Sequence, residues 1–389
     1  MAEQTILVIN AGSSSLKFTV FVNDGPEPRQ TLHGQIERIT TRPRFDAHGP
    51  GGTLDKELDL GTERSGHAAC LAFLLDWLKG HTTIHAAGHR VVHGGTHFRQ
   101  PVRVTSEILD DLATLTPLAP LHQPHNLAAI RALEGIYPGL PQVACFDTAF
   151  HANKPPVASV FPLPKELTAT GVRRYGFHGL SYEYIARVLP RVAPEIAEGR
   201  VVVAHLGSGA SMCAMRRGQG IETTMGLSTV DGLIMGTRCG SIDPGVIMFL
   251  AQERGLSLEE IREILYNRSG LKGVSGISND MRELLKSSDP DATLAVDLFV
   301  YRIRQQVGAL AAALEGIDGL VLTAGIGEHA PIIRQRIITA STWMGMHLDP
   351  VANNAGGPRL TTADSPVSAW MIPTNEEMMI AIHTRDLLA

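Results

Sequence analysis

The residues that could do chemistry include a cation and an acid in unusual sequence surroundings. Arg90 lies within the apolar stretch GHRVVHGG, beside His89 and His93. A guanidinium in an apolar strand needs a negatively charged partner, so either a bound anion or a structural salt bridge would explain it. Asp147 follows the apolar stretch QVACF, at the edge of the predicted sheet where binding sites usually lie.

Two further candidate residues, a histidine and an arginine, follow later in the chain. His178 precedes Ser181, which the pattern predicts to be the N-cap of the helix YEYIARVL, so His178 would stand where a helix N-terminus favours negative charge. A histidine there is also typical of a cap or a surface residue. Arg238 is the only cation in TTMGLSTVDGLIMGTRCGSIDPG, whose small residues predict a loop folded closely around a ligand. Together these residues indicate a pocket for phosphate and carboxylate groups.

Glycine turns accompany these residues, and one hairpin pattern occurs twice. VINAGSSSLKF predicts a strand, a turn and a second strand, and its residues Asn10–Ser13 align with His205–Ser208 of VVVAHLGSGASMCAMRR. Chance is one explanation, because strand–glycine–strand is common in hairpins. The other is a duplicated fold with two phosphate-binding turns that face one cleft.

A third glycine segment is GLVLTAGIGEHAPIIRQRI, residues 319–337. It predicts a strand that ends at Thr323, a turn over Ala324–Gly327, and a helix with Pro331 in its first turn. Backbone amides there would face an anion or a nucleotide. The turn also fits G-x-G-x-x-A, with Asp349 about twenty residues further on, so a dinucleotide-binding dehydrogenase is a weaker alternative. No G-x-x-x-x-G-K-[ST] occurs, which excludes a P-loop nucleotidase.

Adjacent acids mark the C-terminal segment MIPTNEEMMIAIHTRDLLA. Thr374 and Glu377 have the spacing of a capping box for a last helix. Glu376 is then either an acid favoured by the helix terminus or a metal ligand, and the pattern leaves both open.

Composition excludes several classes of function. The 389 residues include 39 Asp and Glu against 34 Lys and Arg, a net charge of −5, so there is no global basic field for nucleic acid or an anionic membrane. Four separated cysteines without a C-x-x-C pair argue against a disulfide framework and favour a reducing cytosol. The start MAEQTILVIN lacks a basic region, and no apolar run is long enough to span a bilayer. We therefore expect a cytoplasmic protein.

The apolar pattern predicts a mixed α/β chain with two domains. Strands are expected at residues 4–10, 16–22, 88–95, 142–147 and 201–206, and helices at 66–80 and 105–115. The proline-rich KPPVASVFPLP, residues 154–164, is the expected domain junction. This places an N-terminal domain at 1–150, joined by the C-terminal helix 374–389, and a second domain with the nucleotide loops at 151–373.

Eight motifs occur together in an order that is specific to one family. They are VINAGSSSLKF, GHRVVHGG, CFDTAFH, RRYGFHGLSYEY, HLGSGAS, GTRCGSIDPG, TAGIGEH and IPTNEE. On these motifs the chain resembles the acetokinase family along nearly its whole length. The resemblance implies the duplicated two-domain α/β fold of the sugar kinase, Hsp70 and actin (ASKHA) superfamily, with a nucleotide in an interdomain cleft. It also implies ATP as co-substrate, Mg²⁺ or Mn²⁺, a short-chain carboxylate and a homodimer.

The resemblance also implies a role for individual residues. Its catalytic positions match Arg90, Asp147, His178 and Arg238. Arg90 would bind the carboxylate, and the acyl pocket matches Val92, Leu121 and Phe177. The ATP contacts match Lys17, His205, Leu206, Gly207, Ser208, Gly209, Asp280, Met281, Arg282, Gly325, Ile326, Gly327, Glu328 and His329. The metal positions match Asn10 and Glu376. Whether Asp147 accepts a proton or orients the metal stays open.

The activity that this implies is reversible phosphoryl transfer from ATP to acetate, which gives acetyl phosphate and ADP. Ser208 and His329 depart from the usual residues on the nucleotide side, and Ser228–Thr229 replaces a more familiar Thr-Pro pair near the acyl pocket. One methylene is worth only about 1–3 kcal/mol of discrimination, so propionate is an alternative substrate. An actin- or Hsp70-like ATPase is an alternative of another class.

Overall fold

The computed structural model describes residues 4–12, 15–39, 41–58 and 66–389. The strands are β1 Gln4–Ala11, β2 Ser15–Asn23, β3 Arg29–Glu37, β4 Arg44–Gly49, β5 Gly52–Glu57, β6 Ala86–Val91, β7 Val102–Arg103, β8 Gln142–Phe146, β9 Arg200–Leu206, β10 Ala210–Arg216, β11 Gln219–Thr223, β12 Gly319–Thr323 and β13 Ser368–Met371. The helices are α1 His67–Lys79, α2 Ser106–Thr114, α3 Gln123–Ile136, α4 Lys165–Ala169, α5 Gly179–Val192, α6 Pro194–Ala197, α7 Pro244–Gln252, α8 Leu258–Asn267, α9 Gly270–Ser275, α10 Met281–Leu284, α11 Pro290–Leu314, α12 Ala324–His329, α13 Pro331–Ala340, α14 Pro350–Ala355 and α15 Glu376–Leu388.

Internal contacts divide the chain into two compact units. Unit 1 comprises Met1–Ala152 and Asn375–Ala389, and unit 2 comprises Asn153–Thr374. The second unit thus begins where the proline-rich segment starts, a region with one short 3₁₀ turn at Pro156–Ala158. None of the helices within the described ranges has the length and apolar character needed to cross a membrane.

Each unit is built on a sheet, and five strands follow the same order in both sheets. Unit 1 contains β5-β4-β3-β2-β1-β6-β8-β7, and unit 2 contains β11-β10-β9-β12-β13. In both, three consecutive strands pair in antiparallel fashion, and two further strands lie parallel beside the first of the three. The order β3-β2-β1-β6-β8 thus corresponds to β11-β10-β9-β12-β13. This repetition confirms the predicted duplication and excludes chance as the origin of the two hairpin patterns.

Apolar faces packed on each sheet supply the core of each unit. In unit 1, β1 and β2 place Leu7, Ile9 and Phe18 against buried leucines of α1. On the other side α15 lies so close to β6 that a Cβ on Gly88 would come within 2.5 Å of Ile380 Cγ2. In unit 2, α11 buries one apolar face and packs on β9, β10 and β11. Residues of β9 are almost all buried, as its run of valines predicts.

Three expected helix boundaries were wrong. Helix α5 begins at Gly179 with His178 at the N-cap position, so Ser181 lies inside the helix. Helix α15 is capped by Asn375, whose side chain accepts from Met378 N, and Thr374 therefore does not form the expected capping box. The expected turn 324–327 is the helix α12, for a reason given below.

Candidate active site

In unit 1, parallel strands carry the predicted residues to one sheet edge. Asn10 lies near the end of β1, Arg90 near the end of β6, and Asp147 directly follows β8. The register pairs Arg90 with Cys145, and Asp147 N donates to Val91 O at 3.1 Å. The carboxyl ends of parallel strands meet at the same edge. Asn10, Arg90 and Asp147 are therefore neighbours by topology.

Arg90 is the centre of this group. Its Nε and Nη2 donate to the two carboxylate oxygens of Asp147 at 2.9 and 2.6 Å, and its Nη1 donates to Asn10 Oδ1 at 3.4 Å. Glu376 Oε2 at the start of α15 lies 3.9 Å from Nε. The Asp147 side chain is 1% exposed, whereas Arg90 is 21% exposed. The structural salt bridge is thus real, and the guanidinium still has N–H donors on Nη1 and Nη2 for another anion.

The charges around Arg90 act in opposite directions on neighbouring groups. Burial alone would lower the pKa of Arg90, but Asp147 and Glu376 outweigh it and raise the pKa, so the guanidinium stays charged. Burial raises the pKa of Glu376 well above its ordinary value, against the opposing effect of Arg90. A cation bound at Glu376 would favour its charged form.

The remaining predicted residues of unit 1 lie in the β1–β2 hairpin, after β6 and before α3. Lys17 is exposed and pairs with Asn10 across the β1–β2 hairpin. Val92 is buried and its N–H donates to Asn126 Oδ1 at 3.0 Å. Leu121 is half-buried just before α3. Ser13, which aligns with Ser208, lies outside the described residues.

In unit 2, His178 is held in an unusual backbone conformation. Its φ is +57°, which costs a residue other than glycine of the order of 1–3 kcal/mol and is typical of functional sites. Its Nδ1 lies 2.8 Å from Ser211 Oγ, which in turn lies 2.5 Å from Tyr182 Oη. The His178 ring stacks on His205 with centroids 4.2 Å apart. The hydroxyl pair orients the ring through Nδ1, and Nε2 lies on the side of Gly209, where a Cβ would come within 3.3 Å of it.

Gly209 shows how closely His178 and Arg238 approach each other. A Cβ on Gly209 would lie 3.3 Å from His178 Nε2 and 3.7 Å from Arg238 Nη1. Arg238 Nη1 also donates to Thr229 O at 3.0 Å. The structure therefore brings the predicted residues His178 and Arg238 together at the HLGSGAS turn, where the small glycine leaves space beside both.

The predicted nucleotide segments meet at the same turn. Gly236 N donates to Ser208 O at 3.0 Å, and a Cβ on Gly236 would lie 3.3 Å from Asn279 Cβ. A Cβ on Gly207 would lie 3.8 Å from Ala324 Cβ. His205–Gly209, the residue before Asp280, and the start of α12 are thus neighbours within unit 2.

Asp280 and Arg282 are engaged with each other. The Asp280 carboxylate caps α10 by accepting from Arg282 N at 2.8 Å, and it accepts from the guanidinium at Nη2 at 2.5 Å. Met281 between them is buried. Arg282 is 84% exposed, so its guanidinium could turn from Asp280 to a phosphate at small cost.

Helix α12 replaces the expected turn because two charged side chains satisfy backbone groups at both of its ends. Glu328 Oε1 accepts from Ala324 N at 2.8 Å and from Thr374 N at 3.1 Å. At the other end, Arg334 Nη1 donates to the carbonyls of Gly327 and Glu328 at 3.1 and 2.7 Å. These contacts turn Gly325, Ile326, Gly327, Glu328 and His329 into one helical segment. Asp349, the acid that the dehydrogenase alternative would use to bind a dinucleotide, instead caps α14. This argues against that alternative.

Several residues that hold this site were missed by the sequence analysis. Arg174 donates to Thr223 O at 3.0 Å and lies 3.5 Å from the Asp231 carboxylate, which also accepts from Ser241. It thereby links the segment that leads to His178 with the loop that leads to Arg238. The buried Lys154 donates to Tyr175 O at 2.8 Å, and burial lowers its pKa to about 8. The arginine pair in GVRRYGF was a usable signal for Arg174, whereas Lys154 had been treated only as part of a junction.

Ser181 and Phe177 complete the unit 2 group. Ser181 Oγ lies 2.8 Å from both His205 Nδ1 and Thr374 Oγ1, so the residue expected to be an N-cap instead orients a predicted ATP-binding histidine. Phe177 is buried next to His178 in sequence. The predicted acyl-pocket residues therefore belong to both units, with Val92 and Leu121 in unit 1.

Comparisons with known proteins agree over nearly the full length. Residues 5–382 match the sequence profile of the acetokinase family. The chain is 53% identical to an acetate kinase of Rhodopseudomonas palustris over 386 residues, 97% of each chain. Among solved structures, a propionate kinase from Francisella tularensis matches with a TM-score of 0.93, and an acetate kinase from Porphyromonas gingivalis with 0.89. Each is 36% identical and covers 99% of this chain, and each is itself covered completely.

Proposed function

Because the chain belongs to the acetokinase family, we propose that it catalyses reversible transfer of the γ-phosphoryl group of ATP to acetate, giving acetyl phosphate and ADP. It is a two-domain enzyme of the ASKHA type and a phosphotransferase with a carboxylate acceptor. The observation that carries the chemistry is the approach of His178 and Arg238 at Gly209, beside the segments expected to bind ATP.

The substrate carboxylate needs little help as a nucleophile, because it is already ionised at neutral pH. The difficulty is the repulsion between two anions, and Arg90 is suited to reduce it. Asp147 uses both oxygens to fix the guanidinium. We therefore assign Asp147 the role of positioning Arg90 and not that of accepting a proton. Val92, Leu121 and Phe177 would then contact the apolar end of the acid.

The transition state of phosphoryl transfer spreads charge over the equatorial oxygens. In the proposal Arg238 and His178 Nε2 donate to those oxygens, as preorganised donors do in other enzymes. The polypeptide amides of His205–Gly209 and of α12 would hold the nucleotide, with Lys17 near its phosphates and Asp280–Arg282 as a further contact.

A magnesium ion would suit the oxygen atoms of Asn10 and Glu376. Mg²⁺ prefers oxygen ligands and is often held by one or two carboxylates together with water and substrate phosphates. Within the described ranges no three His, Cys, Asp or Glu residues form a ready-made metal cluster. When bound, Mg²⁺ or Mn²⁺ would neutralise phosphate charge and would favour the ionised form of the Glu376 carboxyl, whose pKa burial raises.

The proposal includes a homodimer in the cytoplasm. The described cysteines are all free, as a reducing compartment requires. Light scattering after size-exclusion chromatography tests the assembly, and a monomer mass across the working concentration range would remove the dimer from the proposal.

Propionate is the second candidate acceptor. The Francisella tularensis propionate kinase resembles this chain closely in structure, and Ser228–Thr229 stands in the loop that contacts Arg238 through Thr229 O. Purified protein with Mg-ATP and acetate, propionate or butyrate, assayed by trapping acyl phosphate with hydroxylamine, ranks the acids by kcat/KM. We expect acetate to rank first. Phosphate release from ATP without any acyl hydroxamate would instead support an ATPase.

A further inference from the structure

Lys154 is a buried lysine to which the proposed reaction assigns no role. It lies shortly before the 3₁₀ turn Pro156–Ala158 and is 6% exposed. Its ammonium donates to Tyr175 O at 2.8 Å and to Arg174 O at 3.4 Å. Taking an ammonium out of water is costly unless other hydrogen bonds replace those to water. The charge kept at this position therefore directs attention to the segment whose carbonyls it binds.

That segment leads directly to His178. Arg174 and Tyr175 lie shortly before it in the chain, and on the amide side Tyr175 N donates to Gly226 O at 2.9 Å. His178 has a left-handed backbone with φ of +57°, and a residue other than glycine keeps such a conformation only where the surrounding structure fixes it. Lys154 supplies the contacts on the carbonyl side of this segment.

The charged and titratable groups that face Lys154 come from three parts of unit 2. Burial has the largest effect and lowers the pKa of Lys154 to about 8, and Arg174 and Arg173 before α5 act in the same direction. Glu222 of β11 and Cys213 of β10 oppose this change in pKa. The ammonium is therefore charged at neutral pH and loses its proton in mildly alkaline solution.

We propose that Lys154 is a positioning residue for phosphoryl transfer: its ammonium fixes the backbone of Arg174 and Tyr175 and thereby holds His178 in place. A methionine would fill similar space but would bind neither carbonyl. A neutral amine would bind the two carbonyls less strongly than an ammonium does. The effect on turnover rests on the proposed function, whereas the effect on the position of His178 does not.

Lys154→Met tests the role in turnover, and Lys165→Met, which removes an exposed lysine of α4, is the matched control. Displacing a group that acts on the transition state lowers kcat more than it changes KM. We expect the kcat of Lys154→Met to fall about tenfold or more, with both KM values within about twofold of the wild type. Lys165→Met should match the wild type. An unchanged kcat, or a loss confined to KM, would overturn the proposal.

A double-mutant cycle tests whether Lys154 acts through His178. In a His178→Ala background the group to be positioned is absent, so adding Lys154→Met should lower kcat by less than about twofold. A loss as large as in the wild-type background would mean that Lys154 affects the site without His178, and would overturn the positioning role.

The pH dependence of kcat tests the charge of Lys154. In the wild type kcat should fall about threefold or more between about pH 7 and 9.5, with a midpoint near pH 8, and Lys154→Met should lack this fall. Glu222→Gln removes a charge that raises the pKa of Lys154, so the midpoint should move to lower pH. A fall that persists in Lys154→Met, or a midpoint that Glu222→Gln leaves unchanged, would overturn the role of the charge.

Nuclear magnetic resonance of protein with ¹³C at Cε1 of histidine follows the position of His178 without turnover, and His178→Ala identifies its resonance. The resonance should show a transition with a midpoint near pH 8 in the wild type and in Lys165→Met, and should lack it in Lys154→Met. No transition in the wild type, or the same transition in Lys154→Met, would overturn the proposal. This readout remains decisive if the proposed kinase activity is absent.

Discussion

Replacing Asp147 by asparagine removes the charge that holds Arg90, and we expect this to destabilise unit 1. The substitution keeps the shape of the side chain. However, an amide can offer only one acceptor oxygen, and its NH₂ group would face an Arg90 N–H that now donates to a carboxylate oxygen. Besides that one acceptor oxygen, Arg90 would then keep only the distant Glu376 carboxylate and the long bond to Asn10.

The size of the effect follows from burial. Breaking a buried ion pair by removing one partner costs about 3–5 kcal/mol. Asp147 is 1% exposed, but Arg90 is 21% exposed and can recover some hydration, so we expect a loss near the lower end, about 3 kcal/mol. Arg90→Met leaves Asp147 buried without its cation and should cost at least as much. The double variant should lose less than the sum, because no charge of the pair is then left without its partner.

Urea unfolding followed by tryptophan fluorescence measures these losses. Trp77 packs against Phe18 and Phe45 in unit 1, so a background of Trp343→Phe and Trp370→Phe makes the signal specific for that unit. A loss below about 1 kcal/mol in each single variant, or strict additivity in the double variant, would refute the reasoning that the pair is a coupled buried unit.

Three further predictions concern pH, the α12 segment and transfer. Burial lowers the pKa of His89 to about 4, against the opposing effect of its hydrogen bond to Gln142. Below pH 6.5 the unfolded chain therefore binds a proton at His89 that the folded chain does not bind. The free energy of unfolding should fall from pH 6.5 to pH 4 by up to about 1.4 kcal/mol per pH unit. His89→Gln should make this part of the pH profile of urea unfolding flatter, and an unchanged slope would contradict the assignment. Arg334→Met leaves buried carbonyls at the end of α12 without donors, so it should cost about 2–4 kcal/mol and raise the KM for ATP more than that for acetate; equal changes in both would argue against a nucleotide-side role. Arg238→Lys keeps the charge but loses the planar fork, and kcat should fall about a hundredfold or more with little change in either KM, whereas turnover within a few fold of wild type would exclude Arg238 from the transfer step.

Local patterns predicted the elements that depend on neighbouring residues. The two hairpins at VINAGSSSLKF and HLGSGAS followed from apolar strands interrupted by glycine, and both strand registers confirm them. Arg90 was expected to need an anion or a carboxylate because its own strand is apolar. The identity of the partner depended on the approach of β8 to β6, which no local pattern contains.

The errors arose where particular side-chain contacts and backbone conformations decide the local structure. Glycines in TAGIGEH favoured a turn, but the side chains of Glu328 and Arg334 satisfy the backbone groups at the two ends of a helix. Ser181 has the chemistry of an N-cap, yet the left-handed backbone of His178 starts the helix earlier. Arg174 and Lys154 support the site through backbone carbonyls, and such contacts leave almost no trace in a single sequence.

The most direct test of the central claim is ³¹P nuclear magnetic resonance of the purified protein with Mg-ATP and acetate. The account predicts that acetyl phosphate and ADP appear in equal amounts while ATP is consumed, that omission of acetate abolishes the change, and that Arg90→Ala and Arg238→Ala each suppress it while remaining folded. Inorganic phosphate as the primary product, or full activity in both arginine variants, would contradict it.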